Sequence, residues 1–191
     1  VSQQAECKIL LAQKAFSMFS VYPLLRKYLA GTTASGLYEA RLGYEEFEKE
    51  THVFSPAYTE EEFQGLLQYA DHMIFNSPKQ VRKFAQRAKA AGKEVGLRVN
   101  PECSTQEGHA IYDPCSPGSR LGTTLGNFEE ELVSMLDGLH FHTLCEQGAD
   151  ALEITLQAVE EKFGKYLYRM KWLNLGLSLI HISEPTRLLS I

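Results

Sequence analysis

None of the four cysteines, Cys7, Cys103, Cys115 and Cys145, forms a C-x-x-C pair, and their scatter matches neither a zinc site nor a disulfide framework. Reduced thiols are expected. No apolar run is long enough to span a bilayer, and the charged, apolar and small-residue succession of a signal peptide is missing near Val1. The cytoplasm is the expected compartment. A surplus of positive charge is lacking too: 19 Lys and Arg stand against 24 Asp and Glu, a formal net charge of −5, which disfavours nucleic acid as a partner. Low-complexity tracts and clear linkers are likewise absent. The first residue is Val1 rather than methionine, which suggests a fragment.

What is present is a chain of 191 residues, 44% hydrophobic, long enough to bury a sizeable core. Short apolar runs alternate with amphipathic segments, the pattern of parallel βαβ units. The seven candidate strands are Lys8 to Gln13, Thr32 to Ala34, His52 to Ser55, His72 to Asn76, Glu94 to Asn100, Gly138 to His142, and Lys171 to Leu175. Three helical stripes lie between them: Phe63, Leu66, Leu67 and Ala70; Val81, Phe84, Ala85 and Ala88; and Leu152, Leu156, Val159 and Phe163. Thr59 to Glu62 has the form of a capping box, Ser77 and Pro78 open a helix, and Gly92 closes it. Seven βα steps in one direction predict a (β/α)8 barrel without its eighth strand, with an open doubly wound sheet as the alternative.

In a barrel, chemistry belongs to the carboxyl ends of the strands. The run ILLAQKAFS places a single amine, Lys14, at such an end; a desolvated lysine there offers a neutral amine that condenses with an aldehyde, pyridoxal phosphate being the obvious one. A lysine packing its stem on the strand with its head in solvent is the bland alternative. The fifth strand is followed by a long polar connection, Pro101 to Asn127, carrying Glu102, Glu107, His109, Tyr112, Asp113, Ser119 and Arg120. At HFHT, alternation puts His140 and His142 on one face and Phe141 on the other, so His142 is placed to lie against a planar ring or to be a core histidine. Convincing metal-ligand spacing is missing around this pair, so no metal is expected. WLNLG ends the seventh strand at Gly176, where a glycine lets backbone N–H groups close on a phosphate.

Together LAQKAFS, SGLYEARLG, KETHVFSPAY, IFNS, GLRVNPE, AIYDPCSPGSRLG, LHFHTLCEQ and WLNLG, in unbroken order from about Lys8 to Gly176, resemble the carboxynorspermidine/carboxyspermidine decarboxylases. These are pyridoxal-phosphate enzymes of polyamine biosynthesis that share the alanine racemase and ornithine decarboxylase barrel. The resemblance implies that Lys14 carries the cofactor as an aldimine, that His142 stacks on its ring, and that Gly176 begins the phosphate loop. It also implies that Arg98 helps order the active site and that Ser35 lines the cofactor pocket. A cationic substrate tail calls for acids at the mouth, and Glu107 and Asp113 are the candidates by loop position. A homodimer is implied for the longer parent.

Beyond Gly176 such a protein would continue with further glycines, the eighth strand and a C-terminal β-domain. Leu177 to Arg187 instead reads LSLIHISEPTR, which resembles a translated sequencing adapter. Residues 1–176 are therefore expected to be a partial cofactor-binding barrel, inactive in isolation, and residues 177–191 a non-native tail. A related decarboxylase or racemase, or a non-catalytic pyridoxal-phosphate carrier, remains the alternative.

Overall fold

The computed structural model describes residues 4, 6–105, 113–144 and 147–176. All seven expected strands form. They are β1 (Leu10–Ala12), β2 (Gly31–Ala34), β3 (Glu50–Phe54), β4 (His72–Phe75), β5 (Glu94–Arg98), β6 (Gly138–His140) and β7 (Trp172–Asn174). Each pairs in parallel with the next in chain order, giving one seven-stranded sheet with β1 and β7 at its margins among the described residues. This is the strand order of a (β/α)8 barrel without an eighth strand among the described residues; a doubly wound sheet would have interrupted the sequential order.

Alternation along the strands sorts the side chains into two faces. Val53, Met73, Phe75, Val95, Leu97, Leu139 and Phe141 are buried in the main core under the helices. The other face, toward the barrel interior, carries His52, Phe54, His72, Ile74, Arg98 and His140. The helices α3 (Glu60–Tyr69), α4 (Pro78–Ala90) and α5 (Ala149–Leu167) cover the core. Phe63, Leu66, Val81, Phe84, Ala85, Ala88, Val159 and Phe163 are buried as their periodicity predicts, while Leu67 and Leu156 are half-buried and pack against them. The shorter α1 (Tyr22–Leu25) and α2 (Leu37–Leu42) flank β1 and β2, where Leu11, Tyr22 and Phe47 make a smaller cluster.

The expected caps are in place. Thr59 Oγ1 accepts from Glu62 N at 3.1 Å and Glu62 Oε2 accepts from Thr59 N at 3.0 Å, so two donors that helix geometry leaves orphaned are satisfied reciprocally. Ser77 caps α4 ahead of Pro78. Among the described residues between β5 and β6 the helical elements are the 3-10 turns Leu125–Asn127 and Glu130–Met135, with Leu132 and Val133 buried.

At the amino end of the strands, backbone donors are met by carboxylates. Thr51 N donates to Asp71 Oδ2 at 2.8 Å and Val95 N to Asp137 Oδ2 at 2.9 Å. Asp137, 7% exposed in its side chain, also meets Lys89 at 3.0 Å and Lys171 at 2.9 Å. Trp172 reaches back across the interior to donate to Glu94 at 2.6 Å. Its ring lies where a Cβ on Gly96 or Gly138 would stand, so those two strand positions must remain bare.

Candidate active site

Lys14 sits just past β1, in a turn closed by Ala15 N and Phe16 N donating to Ala12 O at 3.0 and 3.1 Å. The backbone is thus held while the side chain is exposed. The desolvation expected from a buried strand end is absent, because β1 stops at Ala12 and the turn lifts Lys14 clear of the sheet. Ser35, in the loop after β2, is exposed too, and its N–H donates to Glu39 Oε2 at 2.6 Å.

Arg98, His142 and Gly176 are brought together. Arg98 ends β5, 4% exposed; its Nη2 donates to His142 O at 3.0 Å, and the guanidinium lies 4.8 Å from the centre of the Phe54 ring. Burial lowers its pKa to about 10, so it stays cationic at neutral pH. His142 Nδ1 stands 2.5 Å from Gly176 O. A carbonyl can only accept, so Nδ1 carries the proton and the imidazole is fixed in that tautomer. Gly176 has φ +69°, and a Cβ there would come within 2.6 Å of Phe141 O and 2.7 Å of His142 Cβ. No other residue fits without moving the histidine.

His140 is fully enclosed below this layer. Its Nδ1 donates to Asn174 Oδ1 at 3.1 Å and is 3.2 Å from Asn174 O. Burial, with Arg98 and His142 nearby, drives its pKa down to about 3, which leaves a neutral ring supporting the mouth. Phe141 faces the core instead, as alternation requires.

The described part of the long connection after β5 that runs from residue 113 onward is pinned to the carboxyl ends of β4 and β5 by two asparagines that sequence reading did not single out. Asn76 Oδ1 accepts from Gly122 N at 2.8 Å while its Nδ2 donates to Arg120 O at 2.8 Å. Asn100 Nδ2 donates to Pro114 O and Leu121 O, both at 3.2 Å, and its Oδ1 accepts from Glu102 N at 2.8 Å. A pocket of about 200 Å³ results, lined by Asn100, Glu102, Cys115, Ser116, Ser119 and Thr124. Asp113 spends one carboxylate oxygen on Cys115 N at 2.8 Å; Glu107 lies outside the described residues, as do His109 and Tyr112. Glu102 is the described acid that lines the pocket. The signal for both asparagines was their place directly after strands, in IFNS and RVNPE.

No protein-family model matches the chain. Among curated proteins it is 41% identical over 176 residues to a carboxynorspermidine/carboxyspermidine decarboxylase of Campylobacter jejuni, covering 92% of this chain and 45% of that protein. It is 42% identical, with the same two coverages, to a carboxyaminopropylagmatine decarboxylase of Synechocystis. The chain therefore spans under half the length of the curated relatives it matches. Among solved structures, carboxynorspermidine decarboxylase from Campylobacter jejuni in complex with norspermidine superposes with a TM-score of 0.81 at 38% identity, over 91% of this chain and 44% of that one. Diaminopimelate decarboxylase from Helicobacter pylori in complex with L-lysine shares the fold alone, with a TM-score of 0.65 at 17% identity over 85% of this chain and 44% of that one. Over nine-tenths of its length, then, the chain is similar in sequence and in fold to a part of a carboxynorspermidine/carboxyspermidine decarboxylase, and its seven strands have the fold of the incomplete alanine racemase-like barrel.

Proposed function

We propose that this barrel belongs to a pyridoxal-phosphate decarboxylase acting on a carboxyl-bearing polyamine. The observation that carries the reading is the joint placement, at one end of the sheet, of an exposed primary amine after β1 and the His142–Gly176 pair after β6 and β7. The donor set fits the cofactor: an amine for its aldehyde, a tautomerically fixed imidazole for its ring, and a glycine turn bare enough for backbone to approach its phosphate. Lys14, His142 and Gly176 would hold it, with Ser35 in the loop that lines the pocket. When bound, pyridoxal phosphate supplies a conjugated ring that accepts the electron pair left as carbon dioxide departs.

The chain's own residues supply orientation and charge. The turn at Gln13 to Ala15 fixes where the Lys14 amine starts, and Ser17 Oγ donating to Gln13 O at 2.6 Å braces it. Arg98 holds a buried positive charge beside His142, while burial first and the Arg98 charge second keep His140 neutral, so the proposed mouth favours anions such as a substrate carboxylate. Glu102, which lines the pocket, is the acid proposed to meet a cationic tail, with Asp113, one of whose oxygens accepts from Cys115 N, proposed beside it from its loop position. Glu107 joins them as a proposal from loop position alone.

The two curated relatives differ in the tail their names give the substrate, triamine in one and agmatine-derived in the other. Both names share a carboxylated polyamine, and the proposal is made at that level.

The test is covalent. The chain is incubated with pyridoxal phosphate, reduced with borohydride and mapped by peptide mass; the label is expected on the peptide containing Lys14. Labelling at Lys8, or nowhere, overturns the assignment. His142→Ala is expected to weaken cofactor retention, and unchanged retention returns that residue to a packing role.

A further inference from the structure

The opposite end of the barrel carries a second polar constellation that the proposed reaction does not use. Register aligns His52 of β3 with His72 of β4 and His72 with Glu94 of β5, and Glu50 lies two residues before His52 on the same face. The two imidazoles stack with centroids 3.8 Å apart and planes 8° from parallel. His52 is 7% exposed, and its Nδ1 is buried without a hydrogen-bond partner, while His72 Nδ1 makes no well-aligned hydrogen bond and has the Glu94 carboxylate 3.4 Å away. A buried ring nitrogen left like that of His52 is unusual, because buried polar atoms are nearly always paired.

We propose that Glu50, His52 and His72 form a site for one divalent transition-metal ion of the zinc or nickel class. One nitrogen from each imidazole and one carboxylate oxygen already lie within 4.8 Å of one another. A tetrahedral set with bonds of about 2.1 Å asks for ligand separations of about 3.4 Å, so binding requires the donor atoms to draw together and at least one imidazole to turn out of the parallel stack until both in-plane lone pairs meet at one ion. Two imidazoles and one carboxylate are a donor set of borderline softness suited to zinc, nickel or cobalt rather than calcium or magnesium.

The charges agree with the geometry. Burial lowers the pKa of His52 to about 4 and lowers that of His72 as well, so neither ring must release a proton at neutral pH before it ligates. Lys8 pairs with Oε1 of Glu50 while Oε2 faces His52 at 3.3 Å, which leaves the second oxygen to the metal without breaking the ion pair. Glu94 Oε2, 3.4 Å from His72 Nδ1 and held by Trp172, is the neighbouring carboxylate that would orient the ligating ring.

Trp172 is the single tryptophan of the sequence, and its ring centre lies 5.4 Å from His72 and 6.4 Å from His52. It is therefore a built-in reporter. Nickel(II) added to the full chain should quench tryptophan fluorescence saturably with one equivalent, and zinc(II) should restore it by competition. His52→Ala and His72→Ala should each weaken binding tenfold or more. Where either disturbs the far-UV circular dichroism, the conservative Glu50→Gln and His72→Gln are read instead and should weaken binding in the same direction. Cobalt(II) should give ligand-field bands without thiolate charge transfer. Absence of saturable quenching, equal affinity in the histidine variants, or a thiolate spectrum each overturns the site.

Discussion

At the carboxyl ends of the strands, exposed Lys14, the His142–Gly176 pair and a long connection are held largely by asparagine side chains and backbone bonds. At the amino ends, short turns are locked by buried Asp137, by Asp71 and by the Trp172–Glu94 bond. The first end presents the groups of the proposed reaction, and the second, apart from the proposed metal ligands, holds strands in register. Chemistry and stability are thereby separated along the barrel axis, so substitutions at the two ends should fail in different ways.

Lys14→Ala should break the comparison most sharply on the functional side. Borohydride-trapped cofactor is expected to fall to background, while urea denaturation shifts by about 0.5 kcal/mol or less, since the side chain is exposed. Asp137→Ala should do the reverse, costing about 3 kcal/mol by stranding Val95 N–H and two lysines. Its pH profile sharpens the point. Burial alone would raise the Asp137 pKa, but the Val95, Lys171 and Lys89 bonds outweigh it and lower the value. The stabilisation is therefore complete above the unfolded pKa of about 3.9 and is lost as pH falls through the lower folded value; the variant should lack that acid limb in denaturation midpoints measured against pH.

Gly138→Ala, on β6 beside the margin strand β7, should cost about 2 kcal/mol by pushing on the Trp172 ring, with a change in tryptophan emission as its signature. The smallest effect is expected for Thr59→Ala, which removes the capping box of α3 for about 1 kcal/mol in the same denaturation assay. That cap lies at the functional end, so it measures how much stability the end contributes without touching Lys14.

The strands and helices were legible because each is a local pattern: Val81, Phe84, Ala85 and Ala88 repeat on one helical face, and Thr59 with Glu62 announces its own cap. Lys14, His142 and Gly176 were legible as strand-end residues within motifs. The row His52, His72 and Glu94 was not, because its members come from three strands and meet only through register. HFHT drew attention to metal binding instead, since its histidines are neighbours in sequence, yet His140 spends Nδ1 on Asn174 and His142 spends its own on Gly176. The exposure of Lys14 was hidden as well, for strand propensity does not reveal that pairing stops at Ala12.

The asparagine pins grip the connection after β5 by carbonyls and amides of Pro114, Arg120, Leu121 and Gly122, none of them a side-chain group. Their hold is indifferent to what most of those residues are. Mutational drift across this segment can remodel the pocket wall while the loop keeps its path, so under the proposed function a change of substrate tail needs no new scaffold. Selection would then act on that proposed specificity as a separable trait, inherited apart from the barrel that carries it.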